Sequence, residues 1–230
     1  MSSLAEFYKE GGSILFGTGL GGFLGGMDFI SICGLTALGI SIERTKVLWM
    51  DSSEDKDALL TGVNQHIMKG DVPGAIRFLS TQPKQGPITR ILVAGLKKAH
   101  RPDKEIQAAL DQASLSEVPR IEARTGYLAV LSNAATLFAL LGTITGLIKT
   151  FGGVAGVSAE KKAAMLSAGI SEAMHCTAYG LGTAVVFLIV YAVIQAKTQH
   201  ILEAINESVV AEINFVLESR AAKQGGAQAV

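Results

Sequence analysis

A run of 23 residues without a charged side chain, Gly126 to Ile148, is the feature that most constrains this fold. About 20 apolar residues in a helix cross the hydrocarbon core of a bilayer. A second run, Lys162 to Lys197, encloses a single formal charge, Glu172. A third, Ile14 to Ile42, is apolar and Gly-rich with Asp28 in its middle. The sequence therefore predicts an all-α, polytopic membrane protein with three transmembrane helices.

The positive charges are distributed unevenly along the chain. Of 20 Lys and Arg residues, 13 lie between Glu43 and Arg124. Loops rich in Lys and Arg stay on the cytoplasmic side of a membrane, so we expect the segment between the first two spans to be cytoplasmic. The N-terminus would then lie outside and the C-terminus inside. No basic region precedes the first apolar run and no clear cleavage site follows it. We therefore expect a retained anchor and not a removed signal peptide.

The predicted organisation has seven segments. The first is an N-terminal amphipathic helix at the outer interface, indicated by Leu4, Phe7 and Tyr8 at helical spacing. The segments are that periplasmic or interfacial helix (1–22), transmembrane helix 1 (23–48), a cytoplasmic helical domain (49–125), transmembrane helix 2 (126–151), a short periplasmic loop (152–167), transmembrane helix 3 (168–196), and a cytoplasmic C-terminal helix with a disordered tail (197–230).

Capping residues divide the cytoplasmic segment into helices. Residues 51–55 predict a helix that runs to about Lys69, and Gly70 to Pro73 starts another with proline in its first turn. A third helix covers about 88–100. A fourth opens at Asp103 and carries Ile106, Leu110 and Ala113 on one face, and Pro119 should break or kink it.

Apolar residues continue at helical spacing after the third span. This pattern predicts an amphipathic helix to about Arg220, and the tail from Gln224 is expected to be disordered. The apolar face consists of Ile201, Ile205, Val209, Ile213 and Val216.

Span two carries Thr136, Thr143 and Thr150 at seven-residue steps, which gives a hydroxyl stripe on one helix face. Such a stripe can line a pore, or its hydroxyls can bond to carbonyls one turn earlier and only pack helices. Gly142 and Gly146 form a GxxxG pair, for which close helix packing is the preferred interpretation.

Span three presents a face of small residues at steps of three and four, which favours tight packing. Its polar member is Thr177. The face consists of Gly169, Ala173, Thr177, Gly180 and Ala184.

Span three also carries ionisable groups, which inside a membrane usually indicate function. Glu172 and His175 lie one turn apart, as do His175 and Tyr179, so a polar relay is possible. The alternative is that His175 is a packing residue. Glu172 lies near the outer entrance and could pair with Lys149.

Three further polar or reactive residues have structural interpretations. Asp28 is expected to be a snorkelling or interfacial carboxylate. Cys33 and Cys176 both fall inside predicted spans, so we expect packing residues and no disulfide.

Motifs for catalysis and cofactor binding are missing from the sequence. It contains no Walker loop, dinucleotide fingerprint, HExxH, Cys/His metal cluster or GxSxG nucleophile. We therefore expect no enzyme, cofactor or metal, and any energy coupling would use an ion gradient. The sequence also lacks the basic, aromatic surface stripe expected of a nucleic-acid-binding protein.

Four segments, in order, resemble the MotA/TolQ/ExbB proton-channel family, and its TolQ/ExbB branch more closely than the four-span MotA. Residues 141–148 resemble LFGTVWGIM, and 169–181 resemble GIAEALLATAIGL. Residues 42–48 fit the charged exit from span one, and 70–75 resemble GDxxGA. The chain departs from the family pattern at Thr136, Thr145, Val186 and Ala192, where the family usually has Pro, Trp, Pro and Asn.

The resemblance implies a homopentameric helical pore in the bacterial inner membrane that acts as the stator of a motor driven by the proton motive force. A single-span TolR/ExbD-like partner with a membrane Asp would lie inside the pore. Thr143 and Thr177 would face that Asp, and Glu172 would lie near the outer entrance. The output could be Ton-type import, Tol-Pal function or gliding motility, through a TonB/TolA-like or motility protein. The alternative hypothesis is a non-conducting oligomeric membrane scaffold.

Overall fold

The computed structural model describes residues 26–52 and 54–227, and this part of the chain is helical without a strand. A π-helical turn, Val47–Asp51, follows the first helix. The predicted interfacial helix at 1–22 lies outside the described residues. The helices are α1 (Gly26–Lys46), α2 (Lys56–Met68), α3 (Val72–Thr81), α4 (Pro87–Leu96), α5 (Asp103–Glu122), α6 (Thr125–Gly153) and α7 (Ala159–Ala227).

The described chain forms two compact units. Unit 1 contains the described residues up to Glu43 together with Arg124–Val193. Unit 2 contains Arg44–Ala123 and the described residues from Ile194 onward. Helices α1 and α7 each contribute one part to each unit.

Two described segments, Asp103–Gly153 and Ala159–Ala221, are long and apolar enough to cross a membrane. Only 22% and 17% of their most apolar stretches are buried within the chain. A core helix of a water-soluble protein would be mostly buried, so these exposed apolar faces fit lipid or neighbouring subunits. The all-helical class is confirmed for the described residues, and the first predicted span begins among residues that are not described.

Unit 1 has a core built from small side chains and sulfur. Cys33 and Cys176 are both reduced and buried in it, which confirms their predicted packing role. Phe29 stacks on Phe138 with ring centroids 5.1 Å apart, and so joins α1 to α6. The core residues are Met27, Ile30 and Cys33 of α1, Ala135 and Ala139 of α6, and Cys176 and Ala184 of α7.

In unit 2 the short helices begin at side-chain caps. Asp55 accepts a hydrogen bond from the Ala58 N–H (3.2 Å), and Asp71 accepts one from the Gly74 N–H (2.9 Å). Both predicted helix starts are confirmed. Carboxylates also interact favourably with the positive end of the helix dipole.

Helix α4 is capped by a residue distant in sequence. The Glu54 carboxylate accepts hydrogen bonds from the N–H groups of Gly86 (2.8 Å) and Ile88 (2.9 Å) and from the Thr89 hydroxyl (2.5 Å). Gly86, the N-cap residue, has no side chain to do this. The segment before α2 is thereby attached to the start of α4.

Helix α5 continues through Pro119 and ends at Glu122, so the proline does not break the helix, and a kink at Pro119 stays a prediction. The helix ends where Ala123 becomes extended (ψ 138°) and Arg124 adopts a left-handed conformation (φ 61°). This conformation is uncommon for a residue with a side chain. Within unit 1, the Arg124 guanidinium donates to both Glu43 carboxylate oxygens at 2.7–2.8 Å.

Helix α7 is longer than the sequence pattern indicated. It begins at Ala159, inside the segment expected to be a loop, and its described backbone is helical to Ala227, past Gln224 where we expected the tail to begin. Its buried face in unit 2 also differs from the predicted one. Val209 and Ile213 are half-buried, whereas Ser208 and Glu212 are 1% and 0% exposed.

Glu212 is a buried carboxyl group without a hydrogen-bond partner among the described residues. It lies against α4 and α5, because a Cβ atom at Gly95 would be 2.6 Å both from the Glu212 Oε1 atom and from Leu110. Burial away from water disfavours the charged form, so the pKa of Glu212 is well above its ordinary value. We therefore expect a neutral side chain over much of the acidic range.

Replacing Glu212 with Gln should change how stability depends on pH. Above the ordinary carboxyl pKa the unfolded chain loses this proton while the folded chain retains it, so wild-type stability falls as pH rises toward the folded-state pKa. Glu212→Gln cannot titrate. Its unfolding temperature relative to wild type should therefore be higher at about pH 8 than at about pH 5, by thermal unfolding in detergent. Glu218→Gln, exposed on the same helix, is the control, and an equal pH response in wild type and Glu212→Gln would contradict the prediction.

Candidate functional site

Helices α6 and α7 pack antiparallel in unit 1 along one seam of small residues. A Cβ atom at Gly180 would overlap the Ala139 side chain, and one at Gly146 would lie 3.2 Å from the Ala173 Cβ atom. Such spacing lets the two backbones approach closely. From one end to the other, the facing pairs are Thr150 and Gly169, Gly146 and Ala173, Thr143 and Thr177, Ala139 and Gly180, and Ser132 and Ala184.

The two threonines singled out in the sequence meet in the middle of this seam. The Oγ1 atoms of Thr143 and Thr177 are 2.6 Å apart, and both residues are half-buried. Thr143 also lies 2.7 Å from the Ala139 carbonyl oxygen, a contact that uses its only hydroxyl hydrogen. Either hydroxyl could donate in the Thr143–Thr177 bond, and the longer distance from Thr177 to the Ala173 carbonyl, 3.5 Å, favours Thr177 as the donor. The Thr177 oxygen retains lone pairs that can accept a further hydrogen bond.

The rest of the hydroxyl stripe bonds within its own helix. Thr136 donates to the Ser132 carbonyl (3.3 Å) and Thr150 donates to the Gly146 carbonyl (2.8 Å). Gly142 is half-buried, and its carbonyl accepts from the Thr145 hydroxyl at 3.1 Å. Of the three stripe threonines, Thr143 is therefore the one whose hydroxyl joins a hydroxyl of α7.

The seam includes a polar contact that the sequence analysis did not find. The Ser132 hydroxyl donates to the Ala184 carbonyl at 2.6 Å, and Ser132 is 4% exposed. Ser132 lies seven residues before Ala139 and so on the same helix face, which is the signal that could have revealed it. This bond joins α6 to α7 at the end of the seam opposite Thr150.

His175 and Tyr179 of α7 have hydrogen-bond partners outside the relay that the sequence allows. Glu172 is exposed and makes no ion pair with Lys149 or hydrogen bond with His175 among the described residues. The Nδ1 atom of His175 lies 2.7 Å from the Ser171 carbonyl. The Tyr179 hydroxyl lies 3.1 Å from the Ser31 hydroxyl of α1. The pairing of Glu172 with Lys149 that the sequence allows is therefore absent among the described residues.

Asp28 is 4% exposed, whereas we expected a snorkelling or interfacial carboxylate in contact with water. Snorkelling needs a long aliphatic stem, as in Lys or Arg, and the aspartate side chain is too short for it. Its neighbour Met27 and Ile30, two residues further along the helix, are fully buried. Asp28 therefore lies in the interior of unit 1.

A family model described as the MotA/TolQ/ExbB proton channel family matches residues 83–207, more than half of the chain. The chain belongs to this family. The match runs from α4 through α6 to residue 207 of α7, so it includes every residue pair of the seam, and it confirms the resemblance seen in the sequence. Family membership and the exposed apolar helices together indicate a membrane protein.

The MotA/TolQ/ExbB relatives similar to this chain include proteins named for ExbB. An ExbB homologue from Methanothermobacter thermautotrophicus, named as a biopolymer transport protein, is 25% identical over 195 residues, which cover 85% of this chain and 64% of the relative. Two ExbB-like proteins of Synechocystis are each 28% identical over 70% and 72% of this chain. The matched regions cover 63% and 79% of those two proteins.

Substituting Gly180 with Ala should destabilise this member of the MotA/TolQ/ExbB family. The added methyl group would overlap Ala139 and approach the Ala135 carbonyl oxygen to 3.1 Å, and such overpacking costs about 1–3 kcal/mol. Thermal unfolding in detergent should show a lower midpoint.

The matched control for Gly180→Ala is Gly182→Ala on the same helix. A Cβ atom at Gly182 would have no neighbour within 4 Å, so replacing this helical glycine should be neutral or stabilising by up to about 1 kcal/mol. Similar midpoints for the two variants would show that the seam is not closely packed at Gly180.

Proposed function

We propose that this chain is the proton-channel subunit, or stator, of a TolQ/ExbB-type motor driven by the proton motive force. The observation that carries the proposal is the Thr143–Thr177 hydroxyl pair, 2.6 Å apart in the seam of a chain of the MotA/TolQ/ExbB family. The proposed pathway also includes Thr136, Glu172 and His175. Gly142, Gly146, Ala173 and Gly180 have the packing role.

The hydroxyl pair has the chemistry to hold a neutral acid. With the Thr143 hydrogen on the Ala139 carbonyl and the Thr177 hydrogen on Thr143, the free capacity of the pair is acceptor capacity. A protonated carboxyl group can donate to it, whereas an ionised carboxylate has no hydrogen to offer. The pair therefore favours the protonated form of an acid beside it.

We propose that the titrating group beside the hydroxyl pair comes from another protein. The facing residues of the seam carry no ionisable side chain, and Gly126 to Ile148 has no charge at all. A threonine hydroxyl does not ionise near neutral pH, so it cannot act as the titrating acid. We therefore assign the proton carrier to a membrane Asp of a single-span, TolR/ExbD-like partner.

In the proposed cycle the hydroxyl pair contacts the partner's Asp only while that Asp is protonated. The partner's Asp binds a proton at one aqueous side, passes the Thr143–Thr177 pair as a neutral acid, and ionises at the other side. A charged carboxylate in hydrocarbon surroundings costs far more than a neutral, hydrogen-bonded one. The pair thus lowers the cost of the neutral passage and does not itself carry the proton.

We place the protein in the bacterial inner membrane as a homopentamer, with its N-terminus periplasmic and its C-terminus cytoplasmic. The exposed apolar side chains of α6 and α7 support contact with lipid and with neighbouring copies, because residues such as Leu137 (67% exposed) and Ile189 (60% exposed) are left uncovered by the described residues. The motor would power Ton-type import, Tol-Pal function or gliding motility through a TonB/TolA-like or motility protein.

Replacing Thr143 or Thr177 with Val should greatly reduce proton flux without preventing assembly. Valine has nearly the same shape as threonine but offers no acceptor oxygen, so a neutral Asp would lose its partner in the pore. Removing one hydrogen bond of this kind should slow passage about tenfold or more. Flux is measured as dye-reported acidification of proteoliposomes that contain this chain and its co-purified partner.

Two matched variants give this test its resolution. Thr145→Val changes an exposed threonine of the same helix whose hydroxyl bonds only to the Leu141 and Gly142 carbonyls, and it should conduct normally. Thr143→Ser retains the hydroxyl and should restore most of the flux. Full flux in both Val variants, or gradient-independent function of the native complex, would instead support the non-conducting scaffold.

A further inference from the structure

A cavity of about 410 Å³ in unit 2 is lined mainly by basic and apolar residues. Its basic residues are Lys84, Arg90 and Arg120, and its acidic residue is Glu117. Three cations against one carboxylate leave a formal lining charge of +2. The volume lies in the usual range of ligand pockets.

The single carboxylate of the cavity is already shared by the two arginines. Arg90 donates from Nε (3.0 Å) and Nη2 (2.7 Å) to the two oxygens of Glu117, and Arg120 donates to the same carboxylate at 3.2 Å. The Glu117 side chain is 7% exposed, whereas those of Arg90 and Arg120 are 48% and 72% exposed. Arg90 also donates from Nη1 to the Gln85 carbonyl at 2.8 Å. Glu117 therefore fixes the two guanidinium groups, and each of them has further N–H groups beyond these bonds.

The third cation is available for another partner. Lys84 is exposed and takes part in no ion pair within the described part of the chain. Two guanidinium groups and an ammonium group around one cavity suit a phosphate, which accepts several charge-assisted hydrogen bonds.

The cavity lies next in sequence to the predicted inner ends of two spans. Val47 and Met50 line it from the π-helical turn that directly follows α1, and Ile121 lines it just before α6 begins. π-helical turns are rare in proteins, and those that occur are often found at functional sites. Trp49, beside Met50, is 41% exposed, as expected of an aromatic residue at a membrane interface.

We propose that this cavity binds the phosphate headgroup of an anionic phospholipid of the cytoplasmic leaflet. The basic side chains bind the phosphate, and the exposed Trp49 and Met50 lie beside the site where acyl chains enter the bilayer. Basic pockets on the cytoplasmic side of membrane helices are suited to such headgroups. The proposal rests on the membrane placement of the chain and not on proton conduction.

The test compares lipid retention by the full-length wild-type protein and by Lys84→Gln/Arg120→Gln. Each protein is reconstituted in nanodiscs of equal parts phosphatidylglycerol and phosphatidylcholine, extracted in mild detergent, and its bound lipids are measured by native mass spectrometry. The wild type should retain phosphatidylglycerol preferentially. The double variant should lower that preference about 30-fold, because two basic side chains are lost. Arg90 remains to pair with Glu117.

Lys97→Gln/Lys98→Gln removes the same charge from two exposed lysines outside the cavity and should retain the wild-type preference. Lys84→Gln alone breaks no ion pair, so it decides the matter if the double variant does not assemble, with an expected loss of about fivefold. Wild-type retention in the cavity variants, or an equal loss in the lysine control, would overturn the proposal.

A second measurement, with inorganic phosphate in solution, distinguishes a lipid headgroup from free phosphate as the ligand. Inorganic phosphate should not raise the unfolding temperature of the delipidated wild type more than that of Lys84→Gln/Arg120→Gln. A selective increase together with no lipid preference would assign the cavity to a soluble phosphate and overturn the lipid assignment. Lipid retention needs no proton flux, so failure here and failure of the Thr143 and Thr177 test are separate results.

Discussion

The close approach of α6 and α7 along their seam of small residues is the constraint on which the candidate site depends. In a bilayer the lipid tails are as apolar as the helices, so helix association relies on close packing and internal hydrogen bonds. Gly180 against Ala139 and Gly146 against Ala173 set the register of the two helices. A slip of one helical turn would displace Thr177 by about 5.4 Å along the helix axis relative to Thr143. The hydroxyl pair is therefore a product of the register.

Unit 2 is organised by a different principle, because its helices are short and carry many charges. α3 and α4 have only 10 residues each, a length at which an isolated helix is marginal in water. Side-chain caps and ion pairs compensate. Glu54 caps α4 from a distant position, and Glu117 holds Arg90 from α5. The Arg220 guanidinium of α7 bonds Asp103 and the Ala99 carbonyl (2.8 Å) and so attaches the last part of α7 to the start of α5.

Sequence patterns revealed the features of this protein that depend on neighbouring residues. The charge-free stretch predicted α6, Asp55 and Asp71 marked helix starts, and the small-residue pattern marked the face of α7 that carries Thr177. Contacts between distant residues were not predictable in this way. The Glu54 cap spans more than 30 residues, and the Glu212 carboxyl is buried where only apolar residues were expected. Pro119 lies inside α5, and the helix ends only where Ala123 and Arg124 leave the right-handed helical conformation.

Neither hydroxyl of the Thr143–Thr177 pair can gain or lose a proton near neutral pH, and this has a consequence for related complexes. In the proposed complex the acid–base behaviour of conduction would belong to the partner's carboxyl group. Exchanging partners between related complexes would then transfer the pH profile of conduction along with the partner. This chain would provide fixed hydrogen-bonding groups for an acid that belongs to its partner.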